Sequence, residues 1–155
     1  MLSNMNTLIK FDTWFIRFAK RHYTWLARIS LAIIFFYFGA LKLAGFSPAD
    51  ELAIGFAEKM GVGMYAEGLY LAVAVVECII GLLILFPAMT RIALFIMIIH
   101  MIIVSAPLVL YPEVTWAMWF VPSLEGQYII KNSALVALAL GLVAATRPLQ
   151  KRARN

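Results

Sequence analysis

Glu77 stands at the centre of residues 68–86, GLYLAVAVVECIIGLLILF, where it is the only charge among nineteen residues. Nineteen helical residues rise about 28 Å, close to the ~30 Å hydrocarbon core of a bilayer. A carboxylate at mid-membrane costs roughly 3 kcal/mol on insertion scales, whereas each of the surrounding Leu, Ile, Val and Phe residues returns about 0.3–0.6 kcal/mol. The segment therefore inserts with its acid aboard. His100 lies at the middle of a second apolar run, and Lys42 and Lys131 lie in two others. Depth follows from counting along each helix at about 1.5 Å per residue. Glu77 is ten positions from Pro87 and His100 nine from Arg91, which sets both at mid-membrane; Lys42, fourteen from Arg28, and Lys131, sixteen from Arg147, fall in the outer third. Tyr70 shares the Glu77 face at a spacing of seven, and Gln127 is near the Lys131 face.

An acid and an imidazole in one layer, with two amines above, form a set suited to proton exchange at a quinone headgroup. Glu77 would accept and release the proton, His100 would hydrogen-bond a carbonyl, and Lys42 and Lys131 would set the electrostatics. Ion pairs buried between helices also serve only to fix packing, and the residues leave that alternative open. Lys42 could equally snorkel to the outer interface. Met97, His100 and Met101 offer soft copper ligands at loose spacing, but methionine is a common apolar filler, and no metal site is assigned.

The elements that must position these residues are helices. The 155 residues are 64% hydrophobic and 14% charged, against about 45–50% apolar and ~25% charged in soluble domains. Mean hydropathy is +0.91. These values describe a membrane protein. A single cysteine, Cys78, excludes an internal disulfide, a CxxC pair and a cysteine zinc site. The net charge of +5 is no sign of nucleic acid binding, because the basic residues sit where membrane topology places them. No cleavable signal peptide is expected, since the first long apolar run begins only near Trp25.

Residues 8–25 form an amphipathic pattern, with Leu8, Phe11, Trp14, Phe15, Phe18 and Trp25 on one side and Lys10, Arg17, Lys20 and Arg21 towards the other. That predicts an interfacial helix resting on anionic lipid, with His22 as an interfacial side chain. Residues 24–44 form the first span. Residues 48–60, opened by Ser47-Pro48 and stopped by Gly61, predict a short helix on the outer side. Residues 68–86 and 91–110 are the second and third spans, and Pro107 predicts a kink that frees the carbonyl of Ile103. Residues 111–127 read as a loop with an aromatic belt of Trp116, Trp119 and Phe120. Residues 128–146 are the fourth span, with a small-residue seam of Ala134, Ala137, Gly141 and Ala145 suited to a neighbouring helix. The expected fold is all-α: a single-domain, integral membrane four-helix bundle over residues 1–155.

Arg and Lys concentrate in the N-terminal arm, the turn at residues 87–91 and the C-terminal tail of Arg147, Lys151, Arg152 and Arg154. The other loops carry Asp50, Glu51, Glu58, Glu67, Glu113 and Glu125 against Lys59. Both termini are therefore expected in the cytoplasm.

Three stretches also carry a resemblance. Arg28-Ile-Ser-Leu with Phe38-Gly-Ala-Leu-Lys42, then Glu77-Cys-Ile-Ile-Gly-Leu-Leu-Ile-Leu85, then Leu124-Glu-Gly-Gln-Tyr-Ile-Ile-Lys-Asn132 resemble the DoxX family of bacterial four-span membrane proteins and the related reactive-chlorine-resistance inner-membrane family. The resemblance implies a bundle in the bacterial inner membrane, partner subunits in a membrane redox complex, and a link to the stress response. It carries over Arg28, Gly39, Lys42, Glu77, Glu125, Gln127, Lys131 and Asn132, and it includes no haem-ligand pair or cofactor motif. The chain is thus expected to be an accessory or quinone-contacting subunit and not an enzyme by itself. The alternatives are an assembly scaffold and a small transporter acting as an oligomer.

Overall fold

The computed structural model describes residues 2–146, with side chains described from residue 5 to residue 146. The basic tail expected to close the chain, Arg147 to Arg154, lies outside the described residues. The first helical run comprises α1 (Leu2–Ala32), a π-helical segment (Ile33–Tyr37) and α2 (Phe38–Leu43). The interfacial helix expected over residues 8–25 is not a separate element, because it continues in line into the first span. Residues 1–38 contain neither glycine nor proline, so nothing interrupts the backbone ladder. Its apolar stretch, Met5–Leu43, is 39 residues, or about 58 Å of helix, nearly twice the hydrocarbon core.

α3 (Asp50–Lys59) begins two residues later than the sequence suggests. The Ser47 hydroxyl accepts from the Ala49 N–H at 3.2 Å, making a turn before the helix instead of a cap on it. Gly61, at φ +77°, ends the helix: its N–H bonds the Glu58 carbonyl and that of Val62 bonds the Ala57 carbonyl. α4 (Ala66–Leu85) and α5 (Thr90–Ser105) form the next hairpin. Pro107 opens a separate turn, α6 (Pro107–Leu110), and the Ile103 carbonyl is not freed, because the Ala106 N–H donates to it at 3.2 Å. A short helix α7 (Pro112–Thr115) and a two-stranded hairpin, β1 (Trp116–Met118) and β2 (Val121–Pro122), occupy the expected loop. Trp119 and Phe120 form its exposed tip, with Phe120 at φ 57°. α8 (Leu124–Ala144) starts four residues earlier than expected. Ser123 caps it, accepting from the Gly126 N–H at 3.1 Å while donating to Glu125 Oε2 at 2.8 Å.

Four of these helical stretches are long and apolar enough to cross a membrane. The first packs on α4, α4 on α5, α5 on α8, and α8 back on α1, closing a four-helix bundle. Leu31, Phe35, Ile80, Ile84, Met97 and Leu142 fill its centre. The outer elements are tied together as well: Lys59 of α3 pairs with Glu113 of α7, and Phe56 meets Tyr111 with ring centroids 6.3 Å apart.

The contact that sets the geometry is the antiparallel crossing of the first helix over α4. Gly39 lies where a Cβ would stand 2.8 Å from the Ala74 carbonyl oxygen and 2.9 Å from Cys78 Sγ. Gly81 lies where a Cβ would stand 2.6 Å from the Phe36 backbone nitrogen. Lipid offers no hydrophobic drive for helices to associate, so close backbone approach through small residues is what holds such a crossing together. Gly81→Ala should lower stability by roughly 1–3 kcal/mol, because a backbone and not a flexible side chain must move. Gly68→Ala, on the same helix with open space around it, should be neutral or slightly stabilising. Thermal unfolding of both variants in mild detergent checks the pair; equal behaviour would remove the crossing from this account.

Candidate functional site

Gly39 packs on α4 between Ala74 and Cys78, the turn that carries Glu77, and Lys42 stands one turn further along the first helix. The close approach at Gly39 brings the long Lys42 side chain within reach of the acid. Lys42 Nζ donates to Glu77 Oε1 in a close ion pair. His100 on α5 places Nε2 3.4 Å from the same oxygen. Phe35, from the π-helical segment, meets the imidazole edge-on with centroids 5.9 Å apart. The π turn inserts an extra residue's width into the helix, a device that often marks functional positions, and Phe35 within it and Lys42 beyond it face the same interior.

The cluster is sequestered. Glu77 and His100 are buried, and the Lys42 side chain is 13% exposed, which makes it the most accessible of the three. Two buried polar atoms have no partner among the described residues: Glu77 Oε2 and the Tyr70 hydroxyl. Both project from α4, two turns apart on one face. An unsatisfied buried carboxylate oxygen is costly, and such groups in native folds mark a ligand, a water or a proton-handling position. Of the two cavities described, neither is lined by Glu77, Lys42 or His100. The donor set suits a polar contact, such as a carbonyl or hydroxyl reaching in beside Lys42.

The remaining residues singled out in the sequence lie elsewhere. Lys131 is exposed, its ammonium 5.4 Å from the centre of the Tyr128 ring. Glu125 is engaged at the α8 cap, Gln127 is exposed, and Asn132 is half-buried one residue beyond Lys131. Arg28 donates from Nη1 to the Ile84 carbonyl at 2.8 Å, seven residues along α4 from Glu77. Among the described contacts, none joins these five to the acid. Met97 and Met101 sit in the apolar core, and the described residues contain no group of three His, Cys, Asp or Glu side chains that could hold a metal. Cys78 Sγ lies 3.8 Å from the Phe36 carbonyl at the helix crossing. Ala134, Ala137 and Ala145 of the small-residue seam are exposed, whereas Gly141 is covered by the Tyr23 ring of α1.

Sequence reasoning missed Phe35 as the neighbour of His100, and it missed the capping role of Ser123. The second had a signal: Ser123-Leu-Glu125 places an acid just after a hydroxyl residue, ahead of a helical run. For the first, spacing puts Phe35 on the face of Arg28, Gly39 and Lys42, but which side chain of α5 lies across from it is set by tertiary packing.

Removing the amine from a buried ion pair leaves an uncompensated carboxylate, which costs about 3–5 kcal/mol. Lys42→Met should therefore destabilise the bundle strongly, and adding Glu77→Gln should recover much of the loss. A double-mutant cycle in detergent measures the coupling; additive losses would mean that the pair contributes nothing as a pair.

Comparisons with curated proteins and with solved structures gave no match. The DoxX family pattern matches residues 24–110, more than half of the chain, and takes in the first span, α3, α4 and α5 with Lys42, Glu77 and His100. The chain is a multi-pass membrane protein that belongs to the DoxX family.

Proposed function

We propose that this chain is a subunit of a membrane redox complex in which the Lys42–Glu77–His100 cluster exchanges a proton with a quinone headgroup. The supporting observation is the buried, unpartnered Glu77 Oε2. Lys42 and His100 both address Oε1, which leaves Oε2 as the oxygen to receive a proton. The ammonium beside it keeps the acid's charge compensated before the proton arrives. The Tyr70 hydroxyl is a second polar atom on the same helix face able to donate or accept. His100, held by Phe35, is the side chain suited to pass a proton on. A quinone, when bound, supplies reversible reduction at its carbonyls; contact beside the partly exposed Lys42 would hold one of them. In this reading the membrane is a bacterial inner membrane and both termini face the cytoplasm, supported by the Arg and Lys residues at the end of the bundle that holds Arg28 and Arg91.

A second reading makes the cluster a packing device and the chain an assembly scaffold. The exposed seam of Ala134, Ala137 and Ala145 favours it, since a small-residue face suits another subunit's helix. Two variants separate the readings. Glu77→Gln combined with Lys42→Met, which strands neither charge, should reduce quinone-linked electron transfer in membranes about tenfold or more while leaving complex recovery intact. Unchanged electron transfer would remove the proton-exchange role. Ala137→Leu, on an exposed face that should leave the chain's own core alone, should abolish complex recovery under the scaffold reading. Gly141→Leu is the poorer probe, because it would drive into Tyr23 within the same chain.

A further inference from the structure

At the far end of the bundle from Lys42, a cavity of about 440 Å³ is lined by Thr24 and Arg28 of α1, Pro87 and Arg91 of the α4–α5 turn region, and Ala145 and Thr146 at the end of α8. That volume is within the ~300–1,000 Å³ range of small-ligand sites. Two guanidiniums from separate helices and two hydroxyl side chains supply its polar surface. We propose that this cleft binds a phosphate group, carried into it by an anionic lipid headgroup.

The geometry of Arg28 is the first argument. Its Nη1 donates to the Ile84 carbonyl at 2.8 Å, and that single bond anchors the guanidinium while leaving its other N–H groups available. A guanidinium held in place loses little entropy on binding, and its planar fork matches two oxygens of a phosphate at once. Arg91 brings a second guanidinium to the same cavity from the first turn of α5. Thr24 brings a hydroxyl group able to donate to a phosphate oxygen, whereas the Thr146 hydroxyl already donates to the Val143 carbonyl at 2.8 Å.

Position along the helices is the second argument. Arg28 stands in the basic half of the first helix, and Arg91 opens the third span, so both lie where spanning helices leave the hydrocarbon and meet headgroups. Basic pockets between spanning helices are a recurring way of holding phosphate-bearing lipids. That position favours a lipid over a free anion, since a headgroup phosphate lies at the level of the two guanidiniums. The site differs from the diffuse attraction expected of Lys10, Arg17, Lys20 and Arg21, because it is concave and draws on three parts of the bundle.

The test uses the full chain purified in mild detergent, with phosphatidylglycerol, diacylglycerol and inorganic phosphate as probes. Native mass spectrometry should show phosphatidylglycerol retained and diacylglycerol, which lacks the phosphate, not retained. Arg91→Gln should weaken retention about tenfold, and Arg91→Lys should weaken it less, since the charge stays but the fork is lost. Arg28→Gln should act in the same direction; if that variant fails to fold, Arg91→Gln decides alone. Lys20→Gln, which removes one charge of the diffuse attraction, should weaken retention much less than Arg91→Gln. Heat protection by inorganic phosphate that is lost in Arg91→Gln, without lipid retention, would keep the phosphate site but assign its supply to solution. The proposal is overturned if Arg91→Gln binds phosphatidylglycerol like the parent protein with no phosphate protection in either, or if Lys20→Gln weakens retention equally.

Discussion

The structure depends on how closely the first helix approaches α4. In lipid, helices gain little by hiding apolar surface from one another, so what joins them is van der Waals contact and the pairing of polar groups. Gly39 and Gly81 let the two backbones come together at two successive points, and Lys42, one turn past Gly39, reaches Glu77 between those points on α4. The two effects reinforce each other. Without the glycines the amine could not reach the acid, and without the amine the acid would be an uncompensated charge beside an apolar core. The rest of the bundle is arranged around this crossing, with α5 delivering His100 to the same carboxylate and α8 closing the ring.

Polarity is divided between the two ends of that crossing. At one end is a compact cluster of an acid, an amine and an imidazole with two orphaned oxygens on α4. At the other, the bundle opens into a cleft walled by Arg28 and Arg91. Ile80 and Ile84 are fully buried between them on α4, and they keep the two regions in separate surroundings. One end keeps its charges buried within the bundle, and the other presents two guanidiniums at the bundle's end.

The elements outside the bundle core serve to close its ends. Lys59 with Glu113 and the Phe56–Tyr111 contact dock the short α3 onto the turn after α5. The buried Thr115 hydroxyl lies within hydrogen-bonding reach of the Pro107 and Tyr111 carbonyls, while the Trp116 indole donates to the Leu108 carbonyl. The indole thereby satisfies the Leu108 carbonyl at the end of α6, while the Pro107 and Tyr111 carbonyls also accept backbone N–H groups. The hairpin tip of Trp119 and Phe120 then projects as an exposed aromatic pair, the residue types that favour the membrane interface.

Sequence alone determined the membrane bundle, because long apolar runs without a polar stripe have no other stable destination. It also singled out Glu77, His100 and Lys42, since an ionisable group in an apolar helix is conspicuous whatever it touches. Helix boundaries were less legible: the amphipathic segment merged with the first span because only a glycine or proline could have parted them, and α8 began at a serine cap within what read as a loop. Only the tertiary structure decided which charges meet. Counting residues gives depth but not azimuth, and Lys42 and Lys131 were equivalent by depth. The glycine crossing set the rotation of the first helix against α4, turning Lys42 inward to the acid, while the packing of α8 left Lys131 outside over Tyr128. That choice rests on contacts between residues more than thirty positions apart, which no local pattern records.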